Sequence, residues 1–182
     1  MLRGGNVRIV RAVMSAAAVL AVTAGCGGTE AGTATPTTQA TDDLFNPCTD
    51  MADEWLIETG LDPATKSTTV DPAEASSWRI CRWDAVELPY MVSVMSSSKT
   101  LEETRNSSTV IILGDATVGS RPALVTRVKS DATDELTCYI TFPAEQGSFT
   151  ISLGWRASRP ITADRCELAT DHATDLEKHL PQ

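Results

Sequence analysis

Residues 135–155 read ELTCYITFPAEQGSFTISLGW, and the fold follows from how this stretch alternates. Leu136, Cys138, Ile140 and Phe142 fall on one side of an extended chain, a period of two that belongs to a half-buried strand. Glu145-Gln146-Gly147 supplies a reversal. Phe149, Ile151, Leu153 and Trp155 then line one face of a second strand, with Ser148, Thr150, Ser152 and Gly154 opposite. Upstream, Pro122 to Lys129 alternates Leu124, Thr126 and Val128 with Ala123, Val125 and Arg127, and Ser130 to Asp134 forms a turn. Short reversals between three such runs predict an antiparallel meander.

Working outward, Trp78 to Asp84 and Tyr90 to Ser96 read as strands, and Thr109 to Leu113 as a further one. In the first of these, Trp78 and Ile80 point to one side, Cys81 and Trp83 to the other. Thr100-Leu101-Glu102-Glu103 fits a capping box and a short helix. Asn46-Pro47 is a helix start, a capping side chain followed by Pro at the first helical position. Met51, Ala52, Trp55, Leu56 and Thr59 form that helix's inner face, Gly60 ends it, and Asp50, Asp53, Glu54 and Glu58 form a solvated outer face. Asp62-Pro63 and Asp71-Pro72 predict irregular structure over 62–77. After Pro160 a final helix is expected, capped by Thr162, with Cys166, Ala169, Ala173, Leu176 and Leu180 as one apolar stripe. The sum is an α+β domain over residues 44–182: an antiparallel sheet of about five or six strands with N-terminal and C-terminal helices packed on it.

Residues 1–25 read as a lipoprotein signal peptide. Arg3, Arg8 and Arg11 precede an uncharged, mostly apolar run from Ala12 to Ala24. As a helix this run covers about 20 Å, short of the roughly 30 Å hydrocarbon core, which fits a cleavable export signal. Thr23-Ala24-Gly25-Cys26 resembles the lipobox of bacterial lipoproteins, in which the Cys is diacylated; Thr23 departs from the usual Leu. Residues 26–43 then comprise the lipidated Cys26 and a flexible Thr/Gly/Ala-rich tether, too polar to bury a core. The expected location is the extracytoplasmic side of the cell membrane.

Assigning Cys26 to lipid leaves Cys48, Cys81, Cys138 and Cys166, an even number that in an exported protein implies two disulfides. Three pairings exist. The favoured one joins Cys48 to Cys81 and Cys138 to Cys166. The hairpin brings Trp155 back to the level of Glu135, close to Cys138, and Cys166 on the final helix faces the sheet. The first helix returning to the first strand gives the other bridge. Each would stabilise by about 3.5–4 kcal/mol in the chain-entropy model.

The 182 residues include 15 Lys and Arg against 24 Asp and Glu, a net charge of −9. Nucleic acid is not expected as a partner, because phosphate contacts need clustered bases. No metal site and no cofactor are expected. His172 and His179 read as exposed residues of the last helix, with Asp175 and His179 as an i,i+4 pair. No nucleophile elbow, phosphate loop or zinc-protease motif occurs, so no catalytic residue is assigned. Gly119-Ser120-Arg121-Pro122-Ala123 reads as a bend entering a strand, with Arg121 paired to the domain's own acid. The four Trp residues are read as core.

Pro47-Cys48, Gly60-Leu61, Cys81-Arg82-Trp83, Val118 to Ala123, Cys138, Cys166-Glu167-Leu168-Ala169 and Leu180-Pro181, in that order, resemble the actinobacterial lipoproteins of the domain of unknown function 3558 type. The resemblance spans residues 44–181 and implies a lipid-anchored envelope protein. It brings no activity and no catalytic residues. The expected role is therefore a non-enzymatic binding or structural module for an envelope protein or small ligand. An enzyme acting on cell-wall or lipid material, or a lipid carrier, are the alternatives.

Overall fold

Seven antiparallel strands form one sheet in the order β1-β2-β3-β7-β6-β5-β4. They are β1 (Leu61–Thr68), β2 (Trp78–Ala85), β3 (Tyr90–Ser97), β4 (Val110–Val118), β5 (Arg121–Val128), β6 (Thr137–Ala144) and β7 (Gly147–Trp155). The computed structural model describes residues 44–68, 77–133 and 135–182. The export signal, Cys26 and the tether lie outside the described residues, as do Asp71-Pro72 and Asp134.

The order joins two local meanders. β1, β2 and β3 follow in sequence on one side, and β4 to β7 on the other, with β7 against β3 from Tyr90↔Trp155 to Ser97↔Ser148. The chain crosses between them through a short helix, α3 (Leu101–Arg105). Thr100 caps it in a complete capping box. Its hydroxyl accepts from the Glu103 amide at 3.2 Å, and its own amide donates to the Glu103 carboxylate at 2.7 Å.

The sheet has seven strands where about five or six were expected, and β1 is the strand that the reading of 62–77 as irregular missed. Pro63 is tolerated because β1 is an edge strand and its register is interrupted between Asp62 and Ser67. No ladder partner is needed at that point.

One face of the sheet carries the hydrophobic core. Trp83, Val92, Val94, Ile140, Phe142, Phe149, Ile151 and Leu153 are all fully buried there. The final helix, α4 (Arg165–Glu177), covers β6 and β7 with Ala169, Ala173 and Leu176 inward. Its cap is Asp164, not Thr162. The Asp164 carboxylate accepts from the amides of Cys166 and Glu167 at 2.7 and 2.9 Å. A carboxylate at a helix start gains from the dipole as well as from the two bonds.

The expected N-terminal helix is two helices, α1 (Pro47–Asp50) and α2 (Asp53–Glu58), separated by extended Met51 and Ala52. Asn46 caps α1 as its sequence implies. The Asp50 carboxylate turns back to accept from the Asn46 amide at 2.8 Å and so adds to the cap at the start of α1. The break lets both Met51 and Leu56 enter the core. Gly60, with φ +81°, turns the chain into β1.

Two disulfides tie this helical layer to the sheet. Cys48 of α1 joins Cys81 of β2, with Cα atoms 5.1 Å apart, and Cys138 of β6 joins Cys166 of α4 at 5.2 Å. Cys81 and Cys138 are completely buried.

Candidate functional site

The opposite face of the sheet is built from the alternate residues of the same strands. Met95 of β3 pairs with Thr150 of β7, Thr150 with Thr141 of β6, and Tyr139 of β6 with Thr126 of β5. A period-two pattern whose second set is Ser and Thr normally faces water. Here it does not. Thr126, Thr141 and Thr150 are 2, 2 and 4% exposed. Glu103 and Thr104 of α3, Ser107 to Thr109 of the loop that follows it, and Val110 at the start of β4 stand over them.

Between that cover and the sheet lies a cleft of about 550 Å³, half open to solvent. This is the size of ordinary small-molecule sites. Its floor is Thr126, Tyr139, Thr141 and Thr150. Trp78 and Met95 make an apolar wall, and Lys99 stands at the rim. Eight of its thirteen described lining residues carry a hydroxyl, so its polar chemistry is that of neutral groups which both donate and accept.

The hydroxyls are not equally engaged. Thr141 and Thr150 lie 2.9 Å apart and share one bond, which leaves one of their two protons unused. Ser107 and Thr109 pair likewise at 2.9 Å. The Thr126 hydroxyl has no hydrogen-bond partner among the described residues. Burial raises the Tyr139 phenol above its ordinary pKa, so it stays protonated. The Glu103 carboxylate is held below its ordinary range by the Thr100 amide and hydroxyl, and so is engaged in the helix cap.

The cover is positioned by backbone contacts at the start of β7. Ser148 Oγ donates to the Lys99 carbonyl at 2.7 Å. Gly147 has φ +140°, and a Cβ there would run into the Ser97 carbonyl and Ser98 backbone. Only Gly allows this approach.

The histidines correct the sequence reading. His172 is 4% exposed, not on the surface. Its Nδ1 lies 2.7 Å from Thr59 Oγ1 and its Nε2 2.9 Å from the Tyr90 hydroxyl. Thr59 Oγ1 also donates to Asp175 at 3.0 Å. Burial pushes the His172 pKa below its ordinary value, against the pull of Asp175 and Asp171. His179 does not pair with Asp175. It stacks on Trp55, with centroids 4.6 Å apart, and lies 3.6 Å from Glu58, which Lys178 also holds at 2.6 Å. Both histidines sit in the helical layer, away from the hydroxyl cleft.

Arg121 is 6% exposed and paired within the domain, to Glu177 at 2.8 Å. It also donates to the carbonyls of Pro143, Leu180 and Pro181 and lies over the Phe142 ring. Trp83 and Trp155 are buried, whereas Trp55 and Trp78 are half-buried. Among the described residues no cluster of His, Cys, Asp and Glu is placed to hold a metal. No described helix is long and apolar enough to cross a membrane.

Sequence reasoning missed the cleft, although a signal existed. Thr126, Thr141 and Thr150 occupy alternate positions in three runs already read as neighbouring strands.

The family described as a protein of unknown function (DUF3558) matches this chain over residues 21–179. No curated protein and no solved structure matches it.

Proposed function

This chain belongs to the DUF3558 family, and we propose that it is a lipid-anchored binding module of the cell envelope whose ligand occupies the hydroxyl cleft. The observation that carries the binding role is the cleft itself. Buried threonines line a half-open space, and one of them, Thr126, has an unused hydroxyl. That hydroxyl opens onto the cleft, so a ligand seated there has a donor and an acceptor to bond.

A binding role is favoured over catalysis by the make-up of the lining. Among the described residues its titratable side chains are Lys99, Glu103 and Tyr139. Glu103 is engaged in the cap and Tyr139 is kept neutral, so no poised acid–base pair faces the space. A carrier of acyl chains is disfavoured because the floor is polar.

Support for the anchor and the extracytoplasmic location comes from the sequence. Cys26 follows Thr23-Ala24-Gly25 where the apolar run stops. The two disulfides suit an oxidising compartment, and two acyl chains give stable anchorage.

Two measurements test the reading. In cells fed an alkyne fatty acid, the full chain takes up label and Cys26→Ala does not; labelling of that variant overturns the anchor. A photo-reactive side chain at Thr104, on the cleft rim, captures an envelope molecule detectable by mass spectrometry. The same group at Asp53, in the helical layer, does not. Equal capture at both positions overturns the cleft as the binding site.

A further inference from the structure

We infer that the ligand of the cleft is a saccharide, a ring bearing several hydroxyls, with Thr126 and the Thr141–Thr150 pair as its polar floor and Trp78 and Met95 as its apolar wall. The inference rests on the reading of the cleft as a binding site and adds the chemical class.

The hydrogen-bond inventory carries the argument. Each Thr hydroxyl offers one proton and two lone pairs. Among the described residues the Thr126 hydroxyl has no partner, and the Thr141–Thr150 pair spends one of its two protons on itself. The floor therefore presents two free donors beside several free acceptors. The ligand groups that satisfy such a surface must themselves both give and take protons, as sugar hydroxyls do. A carboxylate or phosphate accepts only, and would leave the floor's lone pairs without donors. An ammonium has the opposite defect. An acyl chain offers neither, and would seal Thr126 away from water without a bond.

Charge points the same way. Among the described residues Lys99 is the sole basic side chain in the lining, and it is exposed at the rim. The one acid among the described lining residues, Glu103, accepts from the Thr100 amide and hydroxyl at 2.7 and 3.0 Å. The interior is therefore uncharged, which suits a neutral ligand. Trp78 and Met95 flank the hydroxyl floor. A pyranose ring has this duality, with C–H groups on its faces and hydroxyls at its edge, and aromatic surface is suited to ligands that are apolar on one side and wet on the other.

The test uses the full chain and four soluble neutral probes: maltotetraose, cellotetraose, mannotetraose and chitotetraose. Amide shifts in ¹⁵N spectra are followed to 20 mM sugar. The expected result is saturable shifts at residues 126, 141 and 150 with at least one probe. Thr126→Val, nearly the same shape without the hydroxyl, weakens that binding by about tenfold while circular dichroism stays native. Trp78→Leu weakens it independently. The inference is overturned if no probe shifts the floor amides, or if Thr126→Val binds as tightly as the parent chain. If no sugar binds but Thr104 still captures an envelope molecule, the cleft is a binding site of another class. If neither occurs, both readings fall together.

Discussion

The Tyr90 hydroxyl donates to Nε2 of His172 across 2.9 Å, and the direction of that bond is set two residues away. Thr59 Oγ1 donates its single proton to the Asp175 carboxylate. It must therefore accept from Nδ1 of His172, 2.7 Å away. Nε2 is left as the acceptor. One ordered chain thus ties β3, the end of α2 and α4 together, and it requires neutral His172 in the Nδ1–H form.

The first prediction concerns acid. Burial lowers the His172 pKa in the folded protein, while Asp175 and Asp171 on its own helix oppose that shift, and Tyr90 and Thr59 face it from the neighbouring elements. The unfolded value is about 6.5. Below that value the unfolded chain binds the proton first, so stability falls as pH falls. The contribution is whole above about 6.5 and is lost as pH drops through the lower folded value, with a slope of at most about 1.4 kcal/mol per pH unit. Urea unfolding at several pH values between 5 and 7.5 reads this slope. His172→Gln is expected to flatten it, and an unchanged slope in that variant contradicts the assignment.

The second prediction concerns the C-terminus. Arg121 holds Glu177 and three carbonyls, those of Pro143, Leu180 and Pro181. Both partners of the ion pair are largely buried, at 6 and 13% side-chain exposure. Arg121→Met leaves a buried carboxylate without its counter-charge and is expected to cost about 3–5 kcal/mol. Adding Glu177→Gln should recover part of that loss. Denaturant titration of the two single variants and the double variant measures the coupling.

The third prediction concerns the cover of the cleft. At Gly147, φ is +140° and a Cβ meets the Ser97–Ser98 backbone. Gly147→Ala is expected to cost upwards of about 1–3 kcal/mol and to displace the connection into α3. Amide exchange at residues 99–105 should quicken in this variant, whereas Gly114→Ala, where the added carbon meets nothing, leaves that exchange unchanged.

Elements governed by local chemistry were legible in the sequence. The meander of β5, β6 and β7 follows from alternation, and the starts of α1 and α3 from the capping groups of Asn46 and Thr100. Errors arose where a tertiary neighbour decides. Pro63 argues against a strand until its place at a sheet edge is known. The break after Asp50 brings Met51 as well as Leu56 into the core, which helical spacing alone does not show. His172 stands three residues after Ala169 and four before Leu176, on the inward stripe, but its polarity alone argued for the surface. What buries it is a pair of hydroxyls, Thr59 and Tyr90, from distant parts of the chain. The cleft was hidden for the same reason. Alternating threonines look solvated until α3 is known to lie over them.

Both sulfur bridges fasten helices to the core side of the sheet, by way of Cys81 and Cys138. The side that carries the cleft has no such weld. Its cover is a five-residue helix and a loop, fixed by a capping box and by Ser148. One surface of the protein is thus a riveted chassis and the other a replaceable fitting. Substitutions in the α3 region can reshape the cleft without touching the part that keeps the chain folded.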